Sequence, residues 1–268
     1  MEQRIAIAGA GGRMGRALLD AATHVSGLRV SAALEHPASP LVGRDAGELS
    51  TLARGVTVGA DIPAALAVAD VLIDFTRPEG TITHLAACRS AGVNMIIGTT
   101  GFSDAQKQAI AAAAGDIAIV FAANMSIGVN VALKLVDMAT RALHENYDIE
   151  IIEAHHKMKV DAPSGTALML GESAAAAIGQ PLSDVAAYAR HGNTGERRKG
   201  DIGFAAIRGG DIVGEHTVMY AGDGERIEIR HIATSRTNFA SGAMAAARFL
   251  AGKSRGLFDM QDVLGLRS

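Results

Sequence analysis

Short apolar runs rich in branched residues alternate with longer alanine-rich stretches through the first half of the chain. Runs at 4–8, 28–34, 71–75, 94–97 and 117–121 predict β-strands. The stretches 13–24, 62–69, 80–91 and 104–114 predict the helices between them. Continuous apolar strands separated by helices are what a parallel sheet covered on both faces requires. A doubly wound α/β domain is therefore expected over residues 1–126.

Four of these five strands run straight into small or polar residues. The clusters are Gly9-Ala10-Gly11-Gly12, Thr76-Arg77-Pro78, Gly98-Thr99-Thr100-Gly101 and Ala122-Ala123-Asn124-Met125-Ser126. Any one of them is an ordinary turn composition. Four at the carboxyl ends of parallel strands mark a binding crevice, because ligands of open α/β sheets bind along that edge.

Beyond residue 126 the pattern changes. A helix over 129–143 leads to a strand over 147–154, then to a polar loop and a helix from 164 to about 178. Residues 180–200 are polar and aperiodic and read as one long loop. Strands are predicted at 203–208, 212–221 and 226–233, the last two joined tightly through Gly222-Asp223-Gly224. Tight connections imply antiparallel pairing, hence a second, α+β domain with a mixed sheet over 127–235. A final helix over 239–250 and the tail return to the first domain, which then comprises 1–126 plus 236–268.

Composition narrows the function classes. The 268 residues are 49% hydrophobic, enough for an ample core. With 25 basic and 28 acidic residues the formal charge is −3, so neither nucleic acid nor a membrane surface is the expected partner. A single cysteine, Cys88, excludes an internal disulfide and a cysteine-rich zinc site, and its helical context reads as structural. A strand-like start and the lack of a leader-like or long apolar segment place the protein in the cytoplasm.

The first crevice motif is Gly9-Ala10-Gly11-Gly12-Arg13-Met14-Gly15, a strand, a tight turn and a helix start. Strict G-x-G-x-x-G spacing fails at Met14, but G-x-x-G-x-x-G holds at Gly9, Gly12 and Gly15. Bare backbone there admits a pyrophosphate to helix N–H groups and to the positive end of the dipole. Glu35 follows Gly15 by 20 residues, where a carboxylate binds an adenine-ribose hydroxyl. Asn124 either offers its amide to a nicotinamide or stabilises its own turn.

The second concentration of chemistry is His155-His156-Lys157-Met158-Lys159, followed by Pro163-Ser164-Gly165-Thr166. Adjacent residues on a strand diverge, so the two imidazoles are not expected to share a metal. Lys157 and Lys159 have the spacing to share a face, where either can hold a carboxylate or an oxyanion. Ser164 suits an N-cap, and the Gly165 and Thr166 amides with the Thr166 hydroxyl suit an anion seat; the two roles are compatible. Proton donors, cations and a helix N-terminus together suit an anionic substrate that is protonated as it reacts.

Assembled, these residues resemble the 4-hydroxy-tetrahydrodipicolinate reductase (dihydrodipicolinate reductase) family over essentially the whole chain. The resemblance rests on the glycine turn, Ile73-Asp74-Phe75-Thr76-Arg77-Pro78, Gly98-Thr99-Thr100-Gly101, Asn124-Met125-Ser126-Ile127-Gly128-Val129-Asn130, and above all the string from Glu153 to Ala167. It implies a Rossmann-type domain, a homotetramer built through the second sheet, and hydride transfer from NADH or NADPH to a cyclic imine dicarboxylate. It also implies cofactor contacts from Gly9, Ala10, Gly11, Gly12, Arg13, Met14, Glu35, His36, Gly98, Thr99, Thr100, Ala122, Ala123, Asn124 and Met125. By the same resemblance His155 is the proton donor and Lys159 its catalytic partner, while His156, Gly165 and Thr166 hold substrate carboxylates. One position departs from many members, which carry arginine where this chain has His36. A weaker cation beside Glu35 leads to the expectation that NADH serves at least as well as NADPH. An aldehyde-oxidising relative would need a nucleophile near the histidines, and Cys88 is far from them in sequence.

Overall fold

The central strands of the first sheet are buried on both faces, which is why their sequence runs are apolar without alternation. The computed structural model describes residues 2–50, 53–235 and 237–267. In chain order the strands are β1 (Gln3–Ala8), β2 (Leu28–Leu34), β3 (Val58–Gly59), β4 (Val71–Asp74), β5 (Asn94–Ile97), β6 (Ala118–Phe121), β7 (Asp148–His155), β8 (Ala186–Ala187), β9 (Ile202–Arg208), β10 (Gly214–Gly222), β11 (Glu225–Ala233) and β12 (Gly256–Phe258). The helices are α1 (Arg13–Thr23), α2 (Ile62–Leu66), α3 (Pro78–Ala91), α4 (Asp104–Ala113), α5 (Ile127–Leu143), α6 (Gly165–Ala177), α7 (Leu182–Val185), α8 (Thr237–Leu250) and α9 (Met260–Val263). They fall into two units, Met1–Ile127 with Arg236–Ser268, and Gly128–Ser235.

In the first unit seven parallel strands lie in the order β12-β6-β5-β4-β1-β2-β3. Ile5, Ile7, Val71, Ile73 and Ile96 face one way, onto a cluster with Leu18, Leu19, Ala243 and Ala247 of α1 and α8. Ala6, Ala8, Leu72, Met95 and Ile97 face the other, onto Leu66, Leu85 and Ile110 of α2, α3 and α4. The doubly wound sheet is thus the expected one. Two of its strands were not anticipated, β3 and β12, each only two or three residues long. β12 joins the edge by pairing Gly256 with Ala118 and Phe258 with Val120. Helix α3 starts at Pro78, earlier than periodicity predicts, because proline suits the first helical turn.

The second unit holds a mixed sheet in the order β11-β10-β7-β9-β8. β7 runs parallel to β9 and antiparallel to β10, and β10–β11 is a hairpin pairing Gly222 with Glu225. Its two-residue turn, Asp223-Gly224, needs the left-handed backbone that Gly224 adopts (φ +84°). The helices pack on one face: Ala132 and Val136 of α5, with Ala167, Leu170 and Ala174 of α6, lie on Ile149, Ile151, Val218 and Tyr220.

Residues 180–200 are not the single loop expected, since α7 and β8 lie within them. Ionic contacts to β7 hold this segment where hydrophobic periodicity is absent. Arg190 forms a fork on Glu150, at 2.8 and 2.9 Å. Arg197 reaches Glu150 (3.1 Å), Asp148 (2.7 Å) and the Ile149 carbonyl (3.2 Å).

Candidate active site

Parallel strands deliver their carboxyl ends to one edge, so the clusters after β1, β4, β5 and β6 come together in the first unit. After β1 the chain turns at Gly9 (φ +68°), a left-handed conformation that favours glycine. Gly12 N–H donates to Gly9 O at 3.0 Å to close the turn. At Gly15 a Cβ would fall 2.1 Å from Gly9 O, so α1 can approach the turn only without a side chain there. Gly12 precedes α1 with no side-chain cap, leaving its N-terminus suited to an anionic group.

Glu35, just beyond β2, is drawn into this turn. It accepts from Gly11 N–H (Oε1, 2.8 Å) and His36 N–H (Oε2, 3.0 Å). His36 is exposed, and its Nδ1 accepts from Ala38 N–H at 3.2 Å, which leaves Nε2 as its outer edge. Arg13, Met14, Phe75, Gly98, Ala123, Asn124, Met125 and Phe239 line a cleft of about 300 Å³. Phe75 and Phe239 were not singled out from sequence; an aromatic directly after an apolar strand was the available signal for Phe75. Gly98 lies flat on the Phe75 ring, where a Cβ would come within 2.1 Å of Cε1. Asn124 Oδ1 accepts from Ser126 N–H (2.8 Å), so its side chain does stabilise its own turn.

Thr99 is buried and turned inward. Its hydroxyl donates to Asp74 Oδ1 (3.3 Å) and lies 3.0 Å from Thr81 Oγ1. Thr100 is exposed, whereas Ala122 packs against the core. Asp74, at the end of β4, has no solvent exposure. Burial raises its pKa, but His84 and the Thr76 hydroxyl and N–H outweigh that and bring it below the usual aspartate value.

In the second unit β7 alternates Ile149, Ile151, Glu153 and His155 onto the covered face. His155 is therefore the last residue of a strand, buried, with its Nδ1 2.6 Å from Glu153 Oε2. His156 lies half-buried outside the strand, Lys157 is exposed and Lys159 half-buried. Lys159 Nζ donates to both carboxylate oxygens of Asp161 at 2.8 Å, a bond that lowers the Asp161 pKa.

The chain then enters α6 through Pro163. Ser164 caps it as expected, Oγ accepting from Ala167 N–H at 3.2 Å, and Gly165 is its first residue. Gly165 and Thr166 thus carry N–H groups of the first turn, where the helix itself supplies no acceptor. Glu153 entered the sequence reading only as the start of the string from Glu153 to Ala167, and Arg208 and His216 were not singled out. Arg208 forks onto Glu153 at 2.7 and 2.8 Å. His216 Nε2 lies 2.9 Å from Ser164 Oγ, and its ring meets that of His155 edge-on at 5.1 Å. Strand register explains the gathering: His216 is opposite Glu153 on β10, and Arg208 is beside His155 on β9. Burial raises the pKa of Glu153, but Arg208, His155 and the Ser164 N–H together bring it below the usual glutamate value.

A doubly wound sheet with a glycine turn after its first strand, joined to a mixed sheet ending in a buried imidazole, belongs to the two-unit oxidoreductases. Comparison with known proteins narrows the class. The model of the dihydrodipicolinate reductase N-terminus matches residues 3–125, and that of its C-terminus matches residues 128–264. The chain belongs to the dihydrodipicolinate reductase family. It is 61% identical over 263 residues to 4-hydroxy-tetrahydrodipicolinate reductase of Nitrosospira multiformis, covering 98% of each chain. It is also 61% identical over 263 residues to the enzyme of that name from Cupriavidus pinatubonensis, covering 98% of this chain and 99% of the relative. Among solved structures it resembles a dipicolinate-bound dihydrodipicolinate reductase from Paenisporosarcina sp. TG-14, with TM-score 0.77 and 25% identity, covering 98% of this chain and 99% of that one.

Proposed function

We propose that this chain reduces the cyclic imine dicarboxylate derived from 4-hydroxy-tetrahydrodipicolinate to tetrahydrodipicolinate, using NADH or NADPH, in lysine and diaminopimelate biosynthesis. The observation that carries the reading is 61% identity to enzymes of that name across 98% of the chain.

The residues of the first unit fit a nicotinamide dinucleotide. A Cβ at Gly15 would collide with the turn, no side chain caps α1, and Glu35 stands at the position of a ribose-binding acid. The bound group supplies a hydride. In this reading Gly9 to Met14 hold its pyrophosphate, Glu35 and His36 face its adenosine ribose, and Gly98 to Thr100 with Ala122 to Met125 border its nicotinamide.

The second unit supplies binding and the proton. Reduction of the conjugated ring leaves an electron-rich enamine that must gain a proton. His155, its Nδ1 engaged by Glu153, delivers that proton from Nε2. The Lys159 ammonium offsets negative charge beside it. His156 and the α6 N-terminus, through Gly165 and Thr166, hold the two carboxylates. The reading requires the two units to bring cofactor and substrate together in one complex. A cytoplasmic homotetramer belongs to the same proposal. The face of the second sheet opposite the helices, where Ile207 and Ile232 are exposed, is the surface suited to assembly.

The test is NADH oxidation followed by absorbance, with substrate formed in situ by the preceding synthase. Turnover dependent on both synthase and this protein is expected, together with a thermal shift from dipicolinate in the presence of NADH. A folded protein that binds NADH yet consumes none with this substrate overturns the reading.

A further inference from the structure

The Glu153 carboxylate is 1% exposed and yet engaged on two sides, by the Arg208 guanidinium and the His155 imidazole. Oε2 meets His155 Nδ1 at 2.6 Å and an Arg208 nitrogen at 2.8 Å. Oε1 accepts from the second Arg208 nitrogen at 2.7 Å and from Ser164 N–H at 3.0 Å. Arg208 also donates to the Asp161 carbonyl at 2.6 Å. One buried carboxylate therefore joins the imidazole at the end of β7 to the residue that caps α6. Its guanidinium partner ties down the loop between them.

We propose that Glu153, clamped by Arg208, is a positioning residue that holds His155 with its proton on Nδ1 and sets the ring against the Ser164 turn. The inference rests on the reading of His155 as proton donor and deepens it. A carboxylate that is ionised can only accept, so the nitrogen facing it carries a hydrogen. Nε2 is then the atom that gives up a proton and regains it from solvent, while the Nδ1 hydrogen stays in place throughout. The fork from Arg208 keeps Glu153 ionised and leaves the carboxylate one orientation rather than several. The bond to Ser164 N–H gives the proton donor and the anion-binding turn a common reference.

Glu153→Gln tests this, because a carboxamide presents either its oxygen or its NH2 to each neighbour. Facing Arg208 with oxygen, it turns a donor toward His155 Nδ1 and favours the Nε2–H tautomer. The side-chain nitrogen shifts of His155 are read by NMR in the full-length protein without cofactor, at a pH where the ring is neutral. The wild type is expected to show Nδ1–H, and Glu153→Gln the Nε2–H form or a mixture. In steady state kcat is expected to fall roughly tenfold to a thousandfold, as when a catalytic imidazole is held in the wrong tautomer. KM for NADH should stay unchanged. If Glu153→Gln does not fold, Arg208→Lys replaces it: a single ammonium cannot make the fork, and the His155 shifts should then report mixed tautomers with a smaller loss of kcat. Wild-type shifts and wild-type kcat in the folded variant overturn the positioning role. If His155→Ala itself turns over normally, the proton-donor reading fails, and the nitrogen shifts still decide what Glu153 does.

Discussion

His84 Nδ1 lies 2.7 Å from Asp74 Oδ2, facing a carboxylate wholly removed from solvent. The other oxygen of Asp74 accepts from Thr76 N–H (2.8 Å) and from the hydroxyls of Thr76 (2.7 Å), Thr81 (3.1 Å) and Thr99 (3.3 Å). This single side chain therefore anchors the turns that follow β4 and β5. Asp74→Ala strips an acceptor from several buried donors and is expected to cost about 3 kcal/mol or more, since each buried donor left unpaired costs roughly 1–3 kcal/mol. Denaturant unfolding measures it; a loss below about 1 kcal/mol refutes the anchoring role.

Acid should act through the same group. The folded-state pKa of Asp74 lies below its ordinary value of 3.8. Its stabilisation is then complete above the unfolded-state pKa, declines as pH falls through the folded one, and is absent below both. Tm measured below about pH 4 should fall less steeply in Asp74→Asn than in the wild type.

His216 predicts a second pH dependence, at milder acidity. Burial, with the neighbouring His155, lowers its pKa from 6.5 to about 4. The unfolded chain takes up a proton below about pH 6.5 that the folded one refuses until near pH 4, so stability is unaffected above this window and declines within it. The slope approaches about 1.4 kcal/mol per pH unit. His216→Gln keeps an acceptor for Ser164 Oγ and removes the titration. The plot of stability against pH should be flatter for the variant between those two values.

Cofactor preference follows from Glu35 and His36. A carboxylate at the glycine turn opposes an added 2′-phosphate, and His36 is a weaker counter-charge than arginine. NADH should be used at least as well as NADPH. Glu35→Ala should raise KM for NADH while narrowing the difference between the two. A wild-type preference for NADPH of about tenfold, near 1.4 kcal/mol, contradicts this.

Gly242 in α8 sits against the backbone of Met125, and a Cβ there would lie 1.7 Å from the Met125 carbonyl oxygen. Gly242→Ala must displace Met125, which lines the cleft proposed to take the cofactor. It is expected to cost about 1–3 kcal/mol and to weaken NADH binding. Gly59→Ala, with nothing within 4 Å of the added atom, is the control and should leave both unchanged.

What the chain determined by itself is whatever depends on neighbours along it. The doubly wound pattern, the glycine turn, the Ser164 cap and the Asp223-Gly224 hairpin were all readable, because periodicity, backbone freedom and capping act within a few residues. Strands of two or three residues, such as β3 and β12, carry no period to read. Their existence depends on a partner strand, which for Gly256 is Ala118. Residues 180–200 looked like loop because they are held by arginines reaching back to Glu150, which no local pattern records. Period two puts Glu153 and His155 on one face because β7 runs on to His155, one residue past the expected strand end. Only the register of β9 and β10 brought in Arg208 and His216, and so turned two histidines in a sequence into one oriented, buried imidazole. Register is settled by the packing of whole faces, a property of the assembled sheet that no single strand contains.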